Sequence, residues 1–401
     1  MEVSAVWVPN DSVPLLRMEP AEVLGNPQLR DAWTDPLAGA YVPRLMGKLL
    51  GGSLEDVRQG IRDDNRSALL VNHRHAIRGR EYVAAVKGCG AEFDAYENAR
   101  LTAARLREIC HDSSLIHRLA GEDGAPSGFI TGERWFGNTP YGAQAPDNAA
   151  IGLLASLRAD IDDIAGFFIC PIVALVRLPH EVARLATKFS WYRRYEGAYW
   201  QEVRLMPSNI RVHFHSPVAF GVDTAEAFRL FGLESFEDAE AFLGNLARSA
   251  MAALTLYART LRHDARTDTY IGLSYEDVWL DKDAVIARDG TLHFADLEGI
   301  EGVRAPGANQ AREMIRRQFF RNVYEANYAL EAVAAETGRR WGVPAGAAER
   351  RAWIVEVLAN ACRADPFVRV EREGMRAVVV VEPATDPDTC GVTLDFASGG
   401  G

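Results

Sequence analysis

The stretch YEDVWLDKDAVIARDGTLHFADLEG, residues 275–299, decides how the chain is read. Two short apolar runs, AVI and LHF, flank the dipeptide Asp289-Gly290, a pattern that predicts a hairpin closed by a tight turn. Asp277 lies in the loop ahead of it. Asp283 opens the first strand, and Asp296 closes the second thirteen residues later. A hairpin of this length brings the residue before its first strand next to the residue after its second. Two carboxylates converging in this way suit a hard divalent cation, Mg²⁺ or Mn²⁺, which takes oxygen ligands and keeps several waters. Asp281 is an alternative to Asp283 in that role and Glu298 is a further candidate ligand; spacing does not choose among them. The competing reading is a solvated hairpin with surface acids.

The rest of the composition narrows what such a hairpin belongs to. The chain has 401 residues, 48% of them hydrophobic, enough for one large or two medium domains. Its 55 acids outnumber its 44 lysines and arginines, and the net charge is −11. With no dense basic tract, duplex nucleic acid and an anionic membrane are excluded as default partners. Five scattered cysteines without a CxxC pair suit a reducing compartment. The N-terminal MEVSAVWVPND lacks a basic segment ahead of an apolar run, so no signal peptide is expected, and no apolar run has the length of a membrane span. The expected location is cytoplasmic.

Upstream, SALLVN (67–72) and EYVAAVKG (81–88) read as strands joined by a loop HRHAIRGR, and EFDAYENARLTAARLREIC (92–110) as a helix. A helix is expected over 148–165, then one buried strand in FFICPIVALVRL (167–178). Two or three helices follow over 222–262, with the apolar segment around 252–260 in the core. YIGLSY (270–275) reads as a loop, 306–362 as mostly helical, and FVRVEREG with MRAVVVVEP as a closing hairpin. The order, mainly strands first and mainly helices later, predicts an α+β protein with a cleft between two lobes. Four segments follow. Residues 1–64 form an N-terminal extension, and 65–218 a strand-rich nucleotide-binding lobe with an inserted helix near 92–110. Residues 219–364 form a mainly helical lobe with the acidic hairpin, and 365–401 a strand-like tail.

Two further groups are cationic. Lys87 ends the strand EYVAAVK, where it either marks the wet end of a strand or holds an anion. Glu97, Asp160, Asp162 and Asp163 compete as its acidic partner. Arg204 and Arg211 stand seven apart across a Met-Pro-Ser-Asn break in RLMPSNIRV (204–212), followed by the alternating VHFH. A proline connection leading into a strand directs both guanidiniums to one place, where they hold oxyanions bidentately. The alternative is that they pair with Glu196, Glu202 or other acids. His213 and His215 are explained by a strand face bordering a cleft, and His73 and His75 by a hairpin loop. The aromatic-basic patch of Trp191, Tyr192, Arg193, Arg194, Tyr195, Tyr199 and Trp200 reads as inter-lobe packing.

The acidic segment resembles the protein-kinase active site, in which a loop aspartate orients the acceptor hydroxyl, a metal ligand opens the next strand and a second acid ends the hairpin. Lys87 fits the lysine of the V-A-x-K strand. Here Asp283 stands where asparagine is usual, and DLEG replaces Asp-Phe-Gly. Lys87-Gly88-Cys89-Gly90, Thr139-Pro140-Tyr141-Gly142, Arg204-x-x-Pro207-Ser208-x-x-Arg211 and the hairpin occur in the order of the SelO family (selenoprotein O), the kinase-fold protein adenylyltransferases. The chain resembles a divergent member over about residues 65–300, with a longer insertion after Gly90.

The resemblance implies a two-lobed protein-kinase-like fold that binds ATP and transfers AMP to a hydroxyl on a protein or small molecule. It implies Asp277 as catalytic base, Asp283 and Asp296 as metal ligands, and Lys87, Arg204 and Arg211 as phosphate ligands, the arginines holding an inverted nucleotide. Two other outcomes are carried forward: an ATP-dependent phosphotransferase using the same acids, and a catalytically silent nucleotide-binding pseudokinase.

Overall fold

The computed structural model describes residues 4–8, 21–25, 61–63, 67–77, 80–87, 166–177, 200–208, 210–212, 224–275 and 280–396. The chain is a mixed α+β protein divided into two compact units. Unit 1 comprises Met1–Arg158 and Pro171–Met206, and unit 2 comprises Ala159–Cys170 and Pro207–Gly401. The inserted helix expected at 92–110 and the helix expected at 148–165 lie outside the described residues.

The described part of unit 1 is one antiparallel sheet. Its strands are β1 (Ser4–Val8), β2 (Ala21–Gly25), β3 (Ile61–Asp63), β4 (Ser67–Ile77), β5 (Arg80–Lys87), β7 (Ile172–Arg177) and β8 (Trp200–Met206), in the order β1-β2-β7-β8-β5-β4-β3. β8 is central and buries Val203, Leu205 and Met206, as a strand covered on both faces does. HRHAI, expected as a loop, instead continues β4. The pairing of β4 with β5 shifts register between Leu70 and Arg74, so a bulge carries the strand through its polar residues.

The run FFICPIVALVRL is two strands, not one. β6 (Phe168–Ile169) belongs to unit 2 and β7 to unit 1. The break falls at Cys170-Pro171, because proline has no N–H to continue a ladder. The Cys170 N–H donates to Phe294 O at 2.7 Å within unit 2, whereas the Pro171 carbonyl accepts from Leu205 N at 2.9 Å within unit 1.

Unit 2 is mainly helical: α1 (Thr224–Phe231), α2 (Phe236–Leu254), α3 (Leu256–Arg259), α4 (Leu280–Asp283), α5 (Ala308–Trp341), α6 (Ala347–Ala361) and α7 (Pro387–Cys390). α2 starts at a capping box, in which Ser235 Oγ accepts from Asp238 N at 3.1 Å and Asp238 Oδ2 accepts from Ser235 N at 3.0 Å. Residues 251–259 are all buried, as expected of the apolar segment there.

YIGLSY, expected as a loop, is part of the strand β10 (Thr269–Tyr275). It pairs between β13 (Ile300–Pro306) and β9 (Arg262–Asp264). The C-terminal hairpin, β14 (Val368–Glu373) and β15 (Arg376–Val381), gains a third strand, β16 (Val392–Asp395). No helix among the described residues is long and apolar enough to cross a membrane.

Candidate functional site

The acidic hairpin is the centre of unit 2's candidate chemistry. β11 (Ala284–Ile286) pairs antiparallel with β12 (Leu292–Phe294), and β12 pairs parallel with β6. The tip is a three-residue loop, Arg288-Asp289-Gly290: Ala287 N donates to Thr291 O at 2.8 Å, and Gly290 has φ +92°. That is the loop geometry in which a left-handed glycine follows a tight turn. Asp289 Oδ1 accepts from Thr291 N at 3.0 Å and from Thr291 Oγ1 at 2.7 Å, closing the turn with its own side chain.

Helix α2 holds this tip from outside. Asn245 Nδ2 donates to Asp289 O at 2.9 Å, and Ser249 Oγ accepts from Leu292 N at 3.0 Å. The backbone of α2 passes so close that a Cβ on Gly290 would overlap Phe242 O and lie 3.0 Å from its carbonyl carbon. Beneath the strands, Phe167 stacks on Phe294 at 4.4 Å between centroids, and Tyr275 lies 5.3 Å from Phe294. The fully buried Tyr275 donates to Ala253 O at 2.5 Å, and burial raises its phenol pKa. His293, with no exposed surface, is clamped by Thr291 Oγ1 at 3.0 Å and stacked on Phe168 at 5.2 Å. It is part of the scaffold.

The open end of the hairpin carries the acids. Asp283 ends α4 and is 4% exposed. Its carbonyl accepts from Ala295 N at 2.7 Å, extending the ladder by one rung. Asp296 is the next residue; it is half-buried and precedes the 3₁₀ turn Leu297–Gly299 without a side-chain bond to that turn. The two acids therefore flank the last rung, as the thirteen-residue spacing predicts. Asp281 lies in α4 and Glu298 in the 3₁₀ turn, but their side chains, like all of Asp277, are outside the described residues. Among the described residues no group of three or more His, Cys, Asp and Glu is placed to hold a metal ion. Two carboxylates are nevertheless a sufficient donor set for Mg²⁺ that keeps its waters.

The second arginine is fastened to this sheet. Ser208 Oγ donates to Ile286 O at 2.5 Å and accepts from Ile210 N at 3.0 Å, while Ile286 N donates to Ile210 O at 2.7 Å. The Pro-Ser-Asn break is thus a clasp on the outer edge of β11, and half-buried Arg211 follows it directly. Sequence reasoning expected a strand after the proline. Residues 210–212 run alongside the hairpin without strand assignment, the rest of that expected strand lies outside the described residues, and β8 ends just before the proline. His213 and His215 lie outside the described residues.

Unit 1 holds the other two cations. Lys87 at 8% exposure, Arg204 at 4% and Glu202 at 1% are all buried. In the β5–β8 ladder Lys87 stands opposite Glu202, and Ala85 opposite Arg204. Directly opposed residues share a face, as do residues two apart on a strand. Lys87, Glu202 and Arg204 therefore occupy one face, with the small Ala85 leaving room for the guanidinium. Arg204 Nη2 and Glu202 Oε1 form an ion pair. The pairing of an arginine with Glu202, weighed above as an alternative, is what the structure contains. Glu202 is also the acid opposite Lys87, a role sequence reasoning gave to other residues. Glu97, Asp160, Asp162 and Asp163 lie outside the described residues. Glu202 is two residues from Arg204 on one strand, whereas its place opposite Lys87 follows only from the β5–β8 ladder.

Chemically, the Glu202 carboxylate holds the Arg204 guanidinium, and the ladder sets Lys87 on the same face. The acids of the hairpin are suited to a cation. Comparison with family models, with curated proteins and with solved structures found no match to this chain.

Proposed function

We propose that the protein is a metal-dependent nucleotidyltransferase that moves AMP from ATP to a hydroxyl, within a two-lobed kinase-like fold of the divergent SelO type. The observation that carries this reading is the clasp in unit 2. One small sheet bears Asp283 and Asp296 at its open end and, through Ser208 and Ile210, the backbone of Arg211 along its edge. Two acids and an arginine carried by one element would serve phosphoryl chemistry, since catalysis there is mainly positioning and charge stabilisation.

Asp283 and Asp296 would hold Mg²⁺ or Mn²⁺, which supplies charge neutralisation at the phosphates. Arg211, which follows the clasp on the same sheet, would bind phosphate oxygens; Lys87 and Arg204 are the further phosphate ligands that the resemblance implies, and Glu202 would position Arg204 within unit 1. Asp277 would take the proton of the attacking hydroxyl. The hydroxyl oxygen bonds to the α-phosphorus, and pyrophosphate leaves. The sequence motif Arg204-x-x-Pro207-Ser208-x-x-Arg211 favours AMP transfer. The thirteen-residue hairpin spacing serves a phosphotransferase equally well, and that is the second reading.

ATP labelled separately at the α and γ positions decides between them. Transfer of α-label to an acceptor, abolished in a folded Asp296→Ala variant, is the expected result. Transfer of γ-label alone would replace the reading with phosphotransfer, and transfer of neither would leave a nucleotide-binding protein without chemistry.

A further inference from the structure

Asp283 is reached through a helix of a single turn. α4 runs from Leu280 to Asp283, about 6 Å at a rise of about 1.5 Å per residue, too short to hold its shape by its own bonds. Both of its ends are tied to other elements. At the far end the Asp283 carbonyl accepts from Ala295 N at 2.7 Å. At the near end Leu280 N, one of the N–H groups that a helix start leaves without an internal acceptor, donates to Asn322 Oδ1 of α5 at 3.0 Å. Leu280, Asp283 and Asn322 are all buried, so solvent is no substitute acceptor.

Asn322 belongs to a short polar face of α5. Gln318 lies one turn before it and also directs its carbonyl at a backbone donor: Gln318 Oε1 accepts from Tyr257 N at 2.6 Å. In a continuous helix that N–H would go to Ala253 O, which instead accepts from the Tyr275 hydroxyl at 2.5 Å. The two side chains fill an opened rung, and the helix is interrupted there between α2 and α3. Two buried amides on one face of a core helix exceed what packing asks, because an apolar side chain of similar volume fills such a place without a polar group to satisfy. Gln318 serves the α2–α3 break. Asn322 serves α4, and α4 delivers Asp283 to the last rung of the hairpin, which Asp296 flanks on the other strand.

We infer that Asn322 is a positioning residue for the carboxylate pair: by fixing the start of α4 it sets where Asp283 stands relative to Asp296, and so sets the affinity of the pair for a divalent cation. The inference rests on the cation-binding part of the reading above. Mg²⁺ demands near-ideal ligand geometry, and removing a group that orients a ligand typically costs about 10- to 100-fold in metal affinity.

Mn²⁺ binding to the full chain, followed by electron paramagnetic resonance, tests this. The unaltered protein is expected to bind, Asp296→Ala to lose binding, and Asn322→Leu to bind about tenfold or more weakly. Gln318→Leu is the control, since it removes the same kind of bond from the same face of α5 without touching α4; its affinity should match that of the unaltered protein. A purely structural role, in which either loss loosens α5, would weaken both alike. Full affinity in Asn322→Leu, or equal weakening in both variants, overturns the inference. Amide exchange of the unaltered protein gives a reading that does not depend on Asn322→Leu folding. Coupling is reciprocal, so saturating Mg²⁺ should slow exchange at Leu280 N by the same factor of about ten, and no slowing overturns the inference. Binding lost in Asp296→Ala but intact in Asn322→Leu leaves the cation pair standing without Asn322. No binding to the unaltered protein removes the cation pair, and this inference with it.

Discussion

Replacing Gly290 by alanine isolates the docking of the acidic hairpin on α2. Two costs add. The backbone has φ +92°, and holding an L-residue in the left-handed region costs about 1–2 kcal/mol. The new methyl also overlaps the carbonyl of Phe242, which is helix backbone and cannot rotate away, so the tip must lift from α2. That lift breaks the bonds from Asn245 to Asp289 O and from Leu292 N to Ser249, together worth roughly 1–3 kcal/mol.

Gly374, in the turn joining β14 to β15, is the internal reference. Its φ is +65°, and nothing lies within 4 Å of a Cβ built there, so Gly374→Ala carries only the backbone cost of about 1–2 kcal/mol. The difference between the two variants is the docking energy. Peptide-resolved amide exchange over 284–296 reads it locally, because Ile286 N and Ala295 N are bonded to Ile210 O and Asp283 O. An opening cheaper by 1–3 kcal/mol speeds exchange about 5- to 150-fold. Exchange of that segment in Gly290→Ala no faster than in Gly374→Ala would refute the claim that α2 positions the acids.

Three further outcomes follow from unit 2. Arg259 and Asp365 form a buried ion pair, with Arg259 also bonded to Thr255 Oγ1 at 2.8 Å; Asp365→Ala leaves a buried guanidinium short of its carboxylate and should cost about 3–5 kcal/mol in denaturant unfolding, and a loss under 1 kcal/mol would contradict the burial argument. Burial raises the Glu331 carboxyl above its ordinary range, against the opposing pull of Arg350 and Arg351. A raised acid contributes fully below its unfolded pKa and loses that contribution as pH rises through the folded value. Glu331→Gln should therefore stabilise the protein at pH 7 and not at pH 4, and a thermal scan showing equal gains at both would refute it. Burial, with the charge of Asp365, pushes the Cys362 thiol up to about 12 despite Arg259 and Arg248, so its thiolate fraction at pH 8 is on the order of 10⁻⁴; iodoacetamide mapping of the native protein should leave Cys362 unlabelled, and labelling at the rate of an exposed thiol would overturn this.

The parts of the fold legible in the sequence are those whose signals are local. The hairpin 284–294 follows from a turn dipeptide between apolar triplets, and the helices of 222–262 and 306–362 fall where the sequence is expected to be helical. β10 was hidden because its inward face is Tyr270, Gly272 and Ser274, small and polar residues that read as a loop. β4 was cut short at its polar HRHA because a bulge leaves no trace in composition. The division of FFICPIVALVRL depended on two different partners for adjacent residues, Phe294 for Cys170 and Leu205 for Pro171. Hydrophobicity along one run does not encode such a choice.

The same limit governs the candidate site, and it bears on why Glu202 matters. The strand ending at Lys87 is separated by more than a hundred residues from the strand carrying Glu202 and Arg204, so only the ladder reveals that the three share a face. Burying them is expensive: desolvating each ion costs several kcal/mol, and apolar residues of equal volume in such places are often neutral or stabilising by about 1–4 kcal/mol. Stability is therefore a poor reason for charges at the centre of a sheet whose other buried residues include Val203, Leu205, Leu175 and Ile172. The paired strands β5 and β8 set Lys87 opposite Glu202, Arg204 forms an ion pair with that carboxylate, and the antiparallel register fixes the spacing without relying on a loop. What such an arrangement offers in return for its cost is two preorganised cations, and preorganised cations are of use to a ligand rich in oxyanions.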